Sequence, residues 1–269
     1  MGGTEHLTTE RHGATLVLTM NRPEAKNAFS IPMLVGLHDA WFEADADDGI
    51  RSVVLTGAGG AFCAGMDLKA LAGGGFAGDD ADGYRARLKA DPELHWKAML
   101  RHHRPRKPVI AAVEGVCVAG GTEILQATDI RVAAESATFG LFEVRRGLFP
   151  VGGSTVRLPR QIPRTHALEM LLTGRRYTAA EARDVGLVGS VVPDGAALKR
   201  ALELAEAVNQ AAPLAVEAVK RSVYECAELG ETEGLARELA IGWPVFATED
   251  AKEGPRAFAE HRPPVYRRH

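Results

Sequence analysis

Apolar residues form short continuous runs in the first part of the chain. Runs of aliphatic and β-branched residues bounded by glycine, proline or asparagine are typical of strands that are buried on both faces. The clearest is V-I-A-A-V at 109–113, which ends at Glu114-Gly115. The predicted strands cover residues 14–20, 52–56, 109–113, 129–133 and 187–192.

Other apolar residues follow helical spacing. Ser30 is a favourable N-cap for a helix that Asp47-Asp48-Gly49 ends, and T-A-A-E at 178–181 is a capping box. Further helices are predicted at 154–161, 165–172, 196–209, 213–228 and 231–246, with a helix-like stretch through Trp96 and Met99. A strand-rich part followed only by helices predicts an α/β fold with a core at 1–193 and a helical region at 194–269.

Composition is that of an ordinary globular enzyme. The 269 residues suffice for one sizeable core, and 46% are hydrophobic and 25% charged. The formal charge of −3 argues against a nucleic-acid partner bound through bulk positive charge. The N-terminus is polar and no apolar run approaches ~18 residues, so we expect neither a signal peptide nor a membrane partner.

The cysteine pattern bears on metals and on the cellular compartment. Cys63, Cys117 and Cys226 are far apart in sequence and form no C-x-x-C pair. This predicts neither a zinc site nor a disulfide framework and favours a reducing cytoplasm. The histidines contain no H-E-x-x-H arrangement, so we expect no metal.

Two glycine-rich bends follow predicted strands. The first is G-A-G-G-A-F-C-A-G-M-D-L at 57–68, and the second is A-G-G at 119–121, which begins a predicted helix. Neither has the spacing of a phosphate-binding P-loop or of a dinucleotide fold. Glycines at a helix start let a ligand oxygen approach free backbone N–H groups. Two such bends can converge on one oxygen.

Two glutamates are candidates for acid–base chemistry. Glu123 lies in the first turn of the helix after the second bend, and Glu143 follows 20 residues later, beyond a break predicted at Phe139-Gly140. Two carboxyl groups in an apolar pocket have pKa values pushed apart, so that one holds a proton while the other accepts one. The alternatives are a helix-dipole contact for Glu123 and a salt bridge from Glu143 to Arg145 or Arg146.

Seven motifs extend over most of the chain. They are N-R-P-E-A-K-N-A (21–28), A-F-C-A-G-M-D-L (61–68), A-A-V-E-G-x-x-x-A-G-G-T-E (111–123), A-T-F-G-x-x-E (137–143), G-L-F-P-V-G-G (147–153), L-L-T-G-R-R-Y-T-A-A-E-A (171–182) and D-A-K-E-G-P-R-A-F-A-E (250–260). In their order and spacing they resemble the enoyl-CoA hydratase/isomerase, or crotonase, family, and the run from Ala119 onward is most similar to actinobacterial hydratases.

The resemblance implies a fold and a site. The fold is a crotonase-like spiral of ββα repeats whose C-terminal helices form a trimer or a dimer of trimers and complete part of the CoA site. The backbone N–H groups of Met66 and Gly120 correspond to an oxyanion hole for the thioester oxygen. Glu123 and Glu143 correspond to the two glutamates of hydratases. Residues implied in substrate or CoA binding are Ala64, Asp67, Lys69, Gly121, Phe258 and His261.

The implied activity is addition of water to a 2-enoyl-CoA thioester, with no cofactor other than the CoA of the substrate. Isomerisation, acyl-CoA hydrolysis and a non-catalytic scaffold are the alternatives, and the retention of both glutamates favours hydration. Many hydratases carry glycine where this chain has Val151 and lysine where it has His261, which implies weaker or pH-dependent CoA binding.

The acyl pocket of the family is built from the region corresponding to 70–104. Its glycines and aspartates predict that part of residues 70–85 orders poorly without a ligand. We expect this wall to admit long or bulky acyl groups, with Phe76, Tyr84, Leu88 and Trp96 folding over them.

Overall fold

The computed structural model of the chain describes residues 3–67 and 83–269. Nine strands are described, and six of them form one sheet in the order β1-β2-β3-β4-β6-β9. Only β1 runs antiparallel to its neighbour; the other pairings in this sheet are parallel. The six strands are β1 Leu7–His12, β2 Thr15–Met20, β3 Ser52–Gly57, β4 Val109–Val113, β6 Ile130–Ala134 and β9 Ser190–Val192.

The structure has a second, smaller sheet. Its strands occur in the sequence between strands of the large sheet. It contains three strands, β5 Val116–Val118, β7 Thr138–Gly140 and β8 Tyr177–Thr178. β5 follows β4 and β7 follows β6, whereas β8 lies between α6 and α7. β5 and β8 each lead directly into a helix. The repeated order of strand, short strand and helix is the spiral of ββα units that the sequence predicts.

The described helices surround the two sheets and form the C-terminal part. They are α1 Ile31–Ala46, α2 Tyr84–Ala90, α3 Leu94–Ala98, α4 Gly120–Leu125, α5 Ser154–Gln161, α6 Arg164–Thr173, α7 Ala179–Asp184, α8 Ala197–Asn209, α9 Pro213–Cys226, α10 Glu231–Gly242 and α11 Glu249–Ala259. Short 3-10 turns span Pro23–Ala25, Glu143–Arg146 and Trp243–Ala247. No helix within the described ranges has the length and apolarity needed to cross a bilayer.

Most predicted elements are confirmed, and the exceptions have physical causes. The predicted break at Phe139-Gly140 is wrong, because both residues belong to β7. β1 was not predicted, since its L-T-T-E-R-H sequence buries only Leu7 and the strand depends on pairing with β2. α11 was also not predicted, and it contains Pro255 within the helix.

Continuous apolar strands arise because both faces of the large sheet are covered. Along β4, Val109, Ala111 and Val113 face the main core, while Ile110 and Ala112 face a second cluster. α8 covers that second face with three alanines, Ala197, Ala201 and Ala205. This apolar face of α8 therefore packs within its own chain.

Asp129 joins α9 to the core. Its carboxylate accepts hydrogen bonds from Val109 N (2.7 Å), Lys220 Nζ (2.7 Å) and Tyr224 Oη (2.8 Å). Lys220 is nearly buried, at 8% side-chain exposure, so its charge depends on this partner. The ion pair fixes α9 beside the start of β4.

We expect Asp129→Ala to lower the free energy of unfolding by about 3 kcal/mol, because it leaves the Lys220 ammonium without its carboxylate. Glu225→Ala is the matched control, since Glu225 pairs with Arg221 and Arg237 on the exposed surface, where solvent screens the ion pairs, and its loss should cost much less. Urea unfolding measures both. Equal losses would contradict the assignment of Asp129 as the anchor.

Candidate active site

The first bend is tied down by Asn27, whose role the sequence did not reveal. Asn27 is fully buried with φ of +55°, and its Nδ2 donates to Ala58 O (2.9 Å) and Ala61 O (2.7 Å). Asparagine tolerates this left-handed conformation better than most residues. The motif at 21–28 therefore fixes the turn that follows β3. The available signal was an asparagine directly after a lysine in a proline-containing loop.

The continuation of this bend lies alongside β5. Cys63 N donates to Val116 O (2.9 Å) and Val118 N donates to Cys63 O (2.9 Å), so Cys63 is paired with Cys117 as in a parallel ladder. On the other side, Phe29 N donates to Gly65 O (2.8 Å). Main-chain hydrogen bonds thus hold the two glycine-rich bends next to each other.

Gly65 and Gly120 are in close contact. Gly65 has φ of +88°, and a Cβ there would lie 2.7 Å from Ala119 Cβ and 2.8 Å from Gly120 N. Ala119 itself has φ of +51°, which is uncommon for a residue with a side chain. Neither Met66 N–H nor Gly120 N–H donates to another group in the described part of the chain. Two free donors therefore flank the junction of the bends.

α4 carries Glu123 into the interior. Thr122 Oγ1 donates to Cys117 O (2.7 Å), which ties the helix to β5. The Glu123 residue is 5% exposed, and Ser154 N donates to its Oε1 (3.4 Å). A Cβ on Gly152 would lie 2.5 Å from Glu123 Oε2, so only glycine allows the backbone to approach this carboxyl.

Glu143 begins the 3-10 turn after β7. Its Oε2 is buried and has no hydrogen-bond partner among the described residues. The alternative of a salt bridge to Arg145 or Arg146 is not observed among the described residues. Arg145 Nε donates instead to Thr173 O (2.6 Å), and Arg146 lowers the pKa of Glu143 through its charge, without an ion pair. A buried carboxyl oxygen without a partner is available to a ligand or a water molecule.

The two carboxyl groups interact electrostatically. Burial raises the pKa of Glu123 to about 7, and repulsion from Glu143 acts in the same direction. N–H groups of Ser154 and Gly152 lower the pKa of Glu123 but do not cancel these effects. Burial also raises the pKa of Glu143. At neutral pH the pair is thus able to retain one proton.

The remaining predicted site residues lie in different surroundings. Asp67 pairs with Arg22 (2.8 Å), and a Cβ on Gly121 would meet Cys63 O at 2.3 Å, so Gly121 supports close packing of the bends. Ala64 N donates to Lys26 O (3.0 Å), which links the first bend to the loop at 21–28. Phe258 is 84% exposed on α11, and His261 follows that helix with φ of +54°.

Lys69 and the part of the predicted acyl-pocket wall at 70–82, including Phe76, lie outside the described residues. Tyr84 and Leu88 pack against the cluster of Ile31, Val35 and Leu94. Among the described residues no three His, Cys, Asp or Glu side chains are placed to hold a metal ion. The preference for bulky acyl groups stays a prediction.

The fold and the paired bends define a class of protein: a ββα spiral with two free backbone N–H groups at the junction of the bends and two glutamates whose carboxyl groups interact electrostatically. The model of the enoyl-CoA hydratase/isomerase family matches residues 10–269. The chain belongs to this family.

Similar proteins of known sequence or structure cover almost the whole chain. Enoyl-CoA hydratase EchA19 of Mycobacterium tuberculosis is 53% identical over 96% of this chain and 94% of its own length. The 2,3-dehydroadipyl-CoA hydratase of Escherichia coli is 35% identical over 97% of this chain and 98% of its own. The crystal structure of EchA1 from Mycobacterium marinum has a TM-score of 0.87 at 41% identity, covering 98% of this chain and 99% of the other.

We expect Gly65→Ala to reduce turnover of a 2-enoyl-CoA ester by about 10²–10³, because the added Cβ displaces Ala119 and the Gly120 N–H donor. Gly60→Ala is the matched control. Gly60 also has a positive φ, of +74°, but a Cβ there meets nothing within 4 Å. Steady-state kinetics of both folded variants measures the difference. Equal effects would mean that backbone strain, and not the donor position, limits activity.

A second prediction concerns stability. The pKa of Glu123 is about 7 in the folded protein, against an ordinary value of 4.5. Glu123 therefore lowers the free energy of unfolding progressively as the pH rises from 4.5 through about 7, because the unfolded chain ionises first. Glu123→Gln removes the charge and should stabilise the protein by about 3 kcal/mol at pH 8. The gain should largely vanish near pH 4.5. Urea unfolding at both pH values measures it, with the exposed Glu206→Gln as control; a gain independent of pH would contradict the assignment.

Proposed function

We propose that this protein is an enoyl-CoA hydratase that converts a 2-enoyl-CoA thioester to a 3-hydroxyacyl-CoA. Two observations carry the proposal: the junction of the two bends has two free backbone N–H groups, and the buried Glu123 carboxyl lies close enough to Glu143 to be affected by its charge. The relatives named as hydratases at up to 53% identity support the same reaction.

In the proposed mechanism the thioester oxygen accepts hydrogen bonds from Met66 N–H and Gly120 N–H. Adding water to the conjugated double bond builds enolate-like charge on that oxygen, and fixed donors stabilise charge that develops in the transition state. Because the donors are held by main-chain pairing, they need no reorganisation during the reaction.

Glu123 and Glu143 carry the proton transfers in this proposal. The water oxygen bonds to C3 while its proton passes to the ionised carboxylate, and the protonated partner delivers a proton to C2. The pair ends with the single proton it began with. Double-bond isomerisation needs proton transfer at carbon alone, so a second carboxyl with an unpaired buried oxygen favours hydration.

We propose that the CoA moiety contacts Ala64, Asp67, Lys69 and Gly121, and that Phe258 and His261 serve the site of a neighbouring subunit. Phe258 is 84% exposed in the single chain, which supports a role outside its own core. Three free thiols support a reducing cytoplasm as the compartment.

Glu123→Gln and Glu143→Gln should each lower kcat for crotonyl-CoA by about 10²–10⁴, with little change in CoA-ester binding, because each removes a proton transfer and almost no volume. Loss of the conjugated enoyl absorbance measures turnover, and the exposed Glu135→Gln is the control. Near-native turnover in both variants would contradict the two-glutamate mechanism. Release of free CoA thiol or movement of the double bond by the native enzyme would instead support the hydrolase or isomerase alternative.

We further propose a trimer or a dimer of trimers in which residues 194–269 form the contacts. α9, α10 and the following 3-10 turn leave an apolar hollow of about 450 Å³ at the surface. Val219, Val223, Leu239, Trp243 and Phe246 line it and are 60–74% exposed. Exposed apolar surface of this kind is typical of protein–protein contacts.

Sedimentation should give three or six times the chain mass of 28.7 kDa. Trp243→Glu should shift the protein toward smaller species, since it places a charge in the apolar hollow. Leu172→Glu is the matched control, because Leu172 is 71% exposed but lies outside residues 194–269 and does not line the hollow. A native monomer at micromolar concentration would refute the proposed assembly.

A further inference from the structure

One buried hydroxyl group joins the first turn of α4 to both β5 and β7. Thr122 is 0% exposed, and its Oγ1 donates to Cys117 O in β5 (2.7 Å). Gly140 N, in β7, donates to the same Oγ1 (3.4 Å). The mechanism above gives Thr122 no part, although this residue immediately precedes Glu123.

The direction of these hydrogen bonds follows from their lengths. A hydroxyl group has one hydrogen to donate and two lone pairs that accept. Cys117 O lies closer to Thr122 Oγ1 than Gly140 O does, at 2.7 Å against 3.2 Å, so the hydrogen points mainly to Cys117. Hydrogen bonds therefore run from the Gly140 N–H group, through the hydroxyl, to β5.

β7 holds the start of α4 at a second point. Gly140 O accepts from Ala119 N (2.7 Å), so Gly140 binds Ala119 through its C=O group and Thr122 through its N–H group. Ala119 has φ of +51° and ψ of −128°. Such a conformation persists only where the surrounding structure fixes it. These contacts therefore fix the peptide that directs Gly120 N–H.

α4 depends on contacts of this kind because it is short and has no polar cap. It has six residues, and its N-cap is Ala119, which has no side-chain acceptor. A polar N-cap would order the first turn, but it would place its own oxygen beside the N–H groups at the helix start. Thr122 orders the turn through groups outside the helix and leaves Gly120 N–H free for a ligand.

We propose that Thr122 is a positioning residue that directs Gly120 N–H at the thioester oxygen of the substrate. This inference rests on the proposed function, in which that N–H is half of the oxyanion hole. β7 continues toward the 3-10 turn that begins at Glu143. The same hydroxyl therefore also holds α4 in place relative to the strand that leads to the second glutamate.

The enolate of acetoacetyl-CoA tests the proposal without turnover. Its oxygen carries the kind of charge that the two N–H donors are proposed to stabilise, and ultraviolet absorbance follows its binding. Thr122→Val keeps the shape of the side chain and removes the hydroxyl. The dissociation constant of the enolate should rise about tenfold and kcat for crotonyl-CoA should fall by a similar factor, with little change in KM.

Further variants separate this role from a structural one, which would lower the folded fraction but leave the enolate affinity of the folded enzyme unchanged. Thr122→Ser keeps the hydroxyl and should restore native values. Thr122→Cys keeps a weaker S–H donor and should give an intermediate loss, which keeps the test decisive if Thr122→Val does not fold. Thr128→Val is the matched control. Thr128 is 1% exposed and donates to Leu125 O (2.7 Å), away from the start of α4, so its loss should not change enolate binding.

Native enolate binding in Thr122→Val, or in Thr122→Cys where Thr122→Val does not fold, would overturn the proposal. A Thr122→Ser variant that behaves like Thr122→Val would also overturn it, as would a loss of kcat with native enolate binding. Failure of the proposed function gives a different result, since Gly65→Ala would then bind the enolate as tightly as the native enzyme. If Gly65→Ala loses enolate affinity and Thr122→Val does not, only the positioning role fails.

Discussion

The site depends on a main-chain pairing between the bend at 61–66 and β5. Cys63 is hydrogen-bonded to β5 through both its N–H and its C=O group. This pairing places Gly65 so close to Gly120 that a Cβ on Gly65 would not fit. The contact orients two backbone N–H groups without any side chain. The large sheet, the hydrogen bonds of Asn27 to the first bend and the α4 helix all keep this short pairing in register.

The carboxyl pair acts against stability. Glu123 is held inside the protein at a raised pKa of about 7, with a second carboxyl close enough to repel it. The sheet, covered on both faces, provides apolar burial that tolerates this cost. Such a pair is favourable only for chemistry that needs a proton at neutral pH, and the N–H groups of Gly152 and Ser154 limit the cost by binding the ionised form.

Strongly patterned elements could be predicted from the sequence. β4 was predicted with its observed bounds because five consecutive apolar residues, several of them β-branched, between Pro108 and Gly115 are typical of a buried strand. The Thr178 capping box marks a helix start through local contacts alone. The short strands β5, β7 and β8 carry too few residues for a periodic signal. They exist because they pair with one another.

The site was predicted only in part. Glycines, glutamates and their spacing indicated which residues to consider, and the motifs at 119–123 and 137–143 are local. The role of Asn27 depends on contacts between residues that are 31 and 34 apart in sequence, and a single sequence carries no local signal for such contacts. The same holds for Glu143, whose neighbouring arginines suggested a salt bridge that the fold does not form.

The most direct test of the central claim is the infrared spectrum of the thioester carbonyl in a bound enoyl-CoA. A substrate with ¹³C at the thioester carbon, bound to Glu123→Gln, isolates this stretch without turnover. Two aligned N–H donors should lower its frequency relative to the free ester in water, and Gly65→Ala in the same background should reverse most of that shift. A bound carbonyl with the frequency of the free ester would contradict the account.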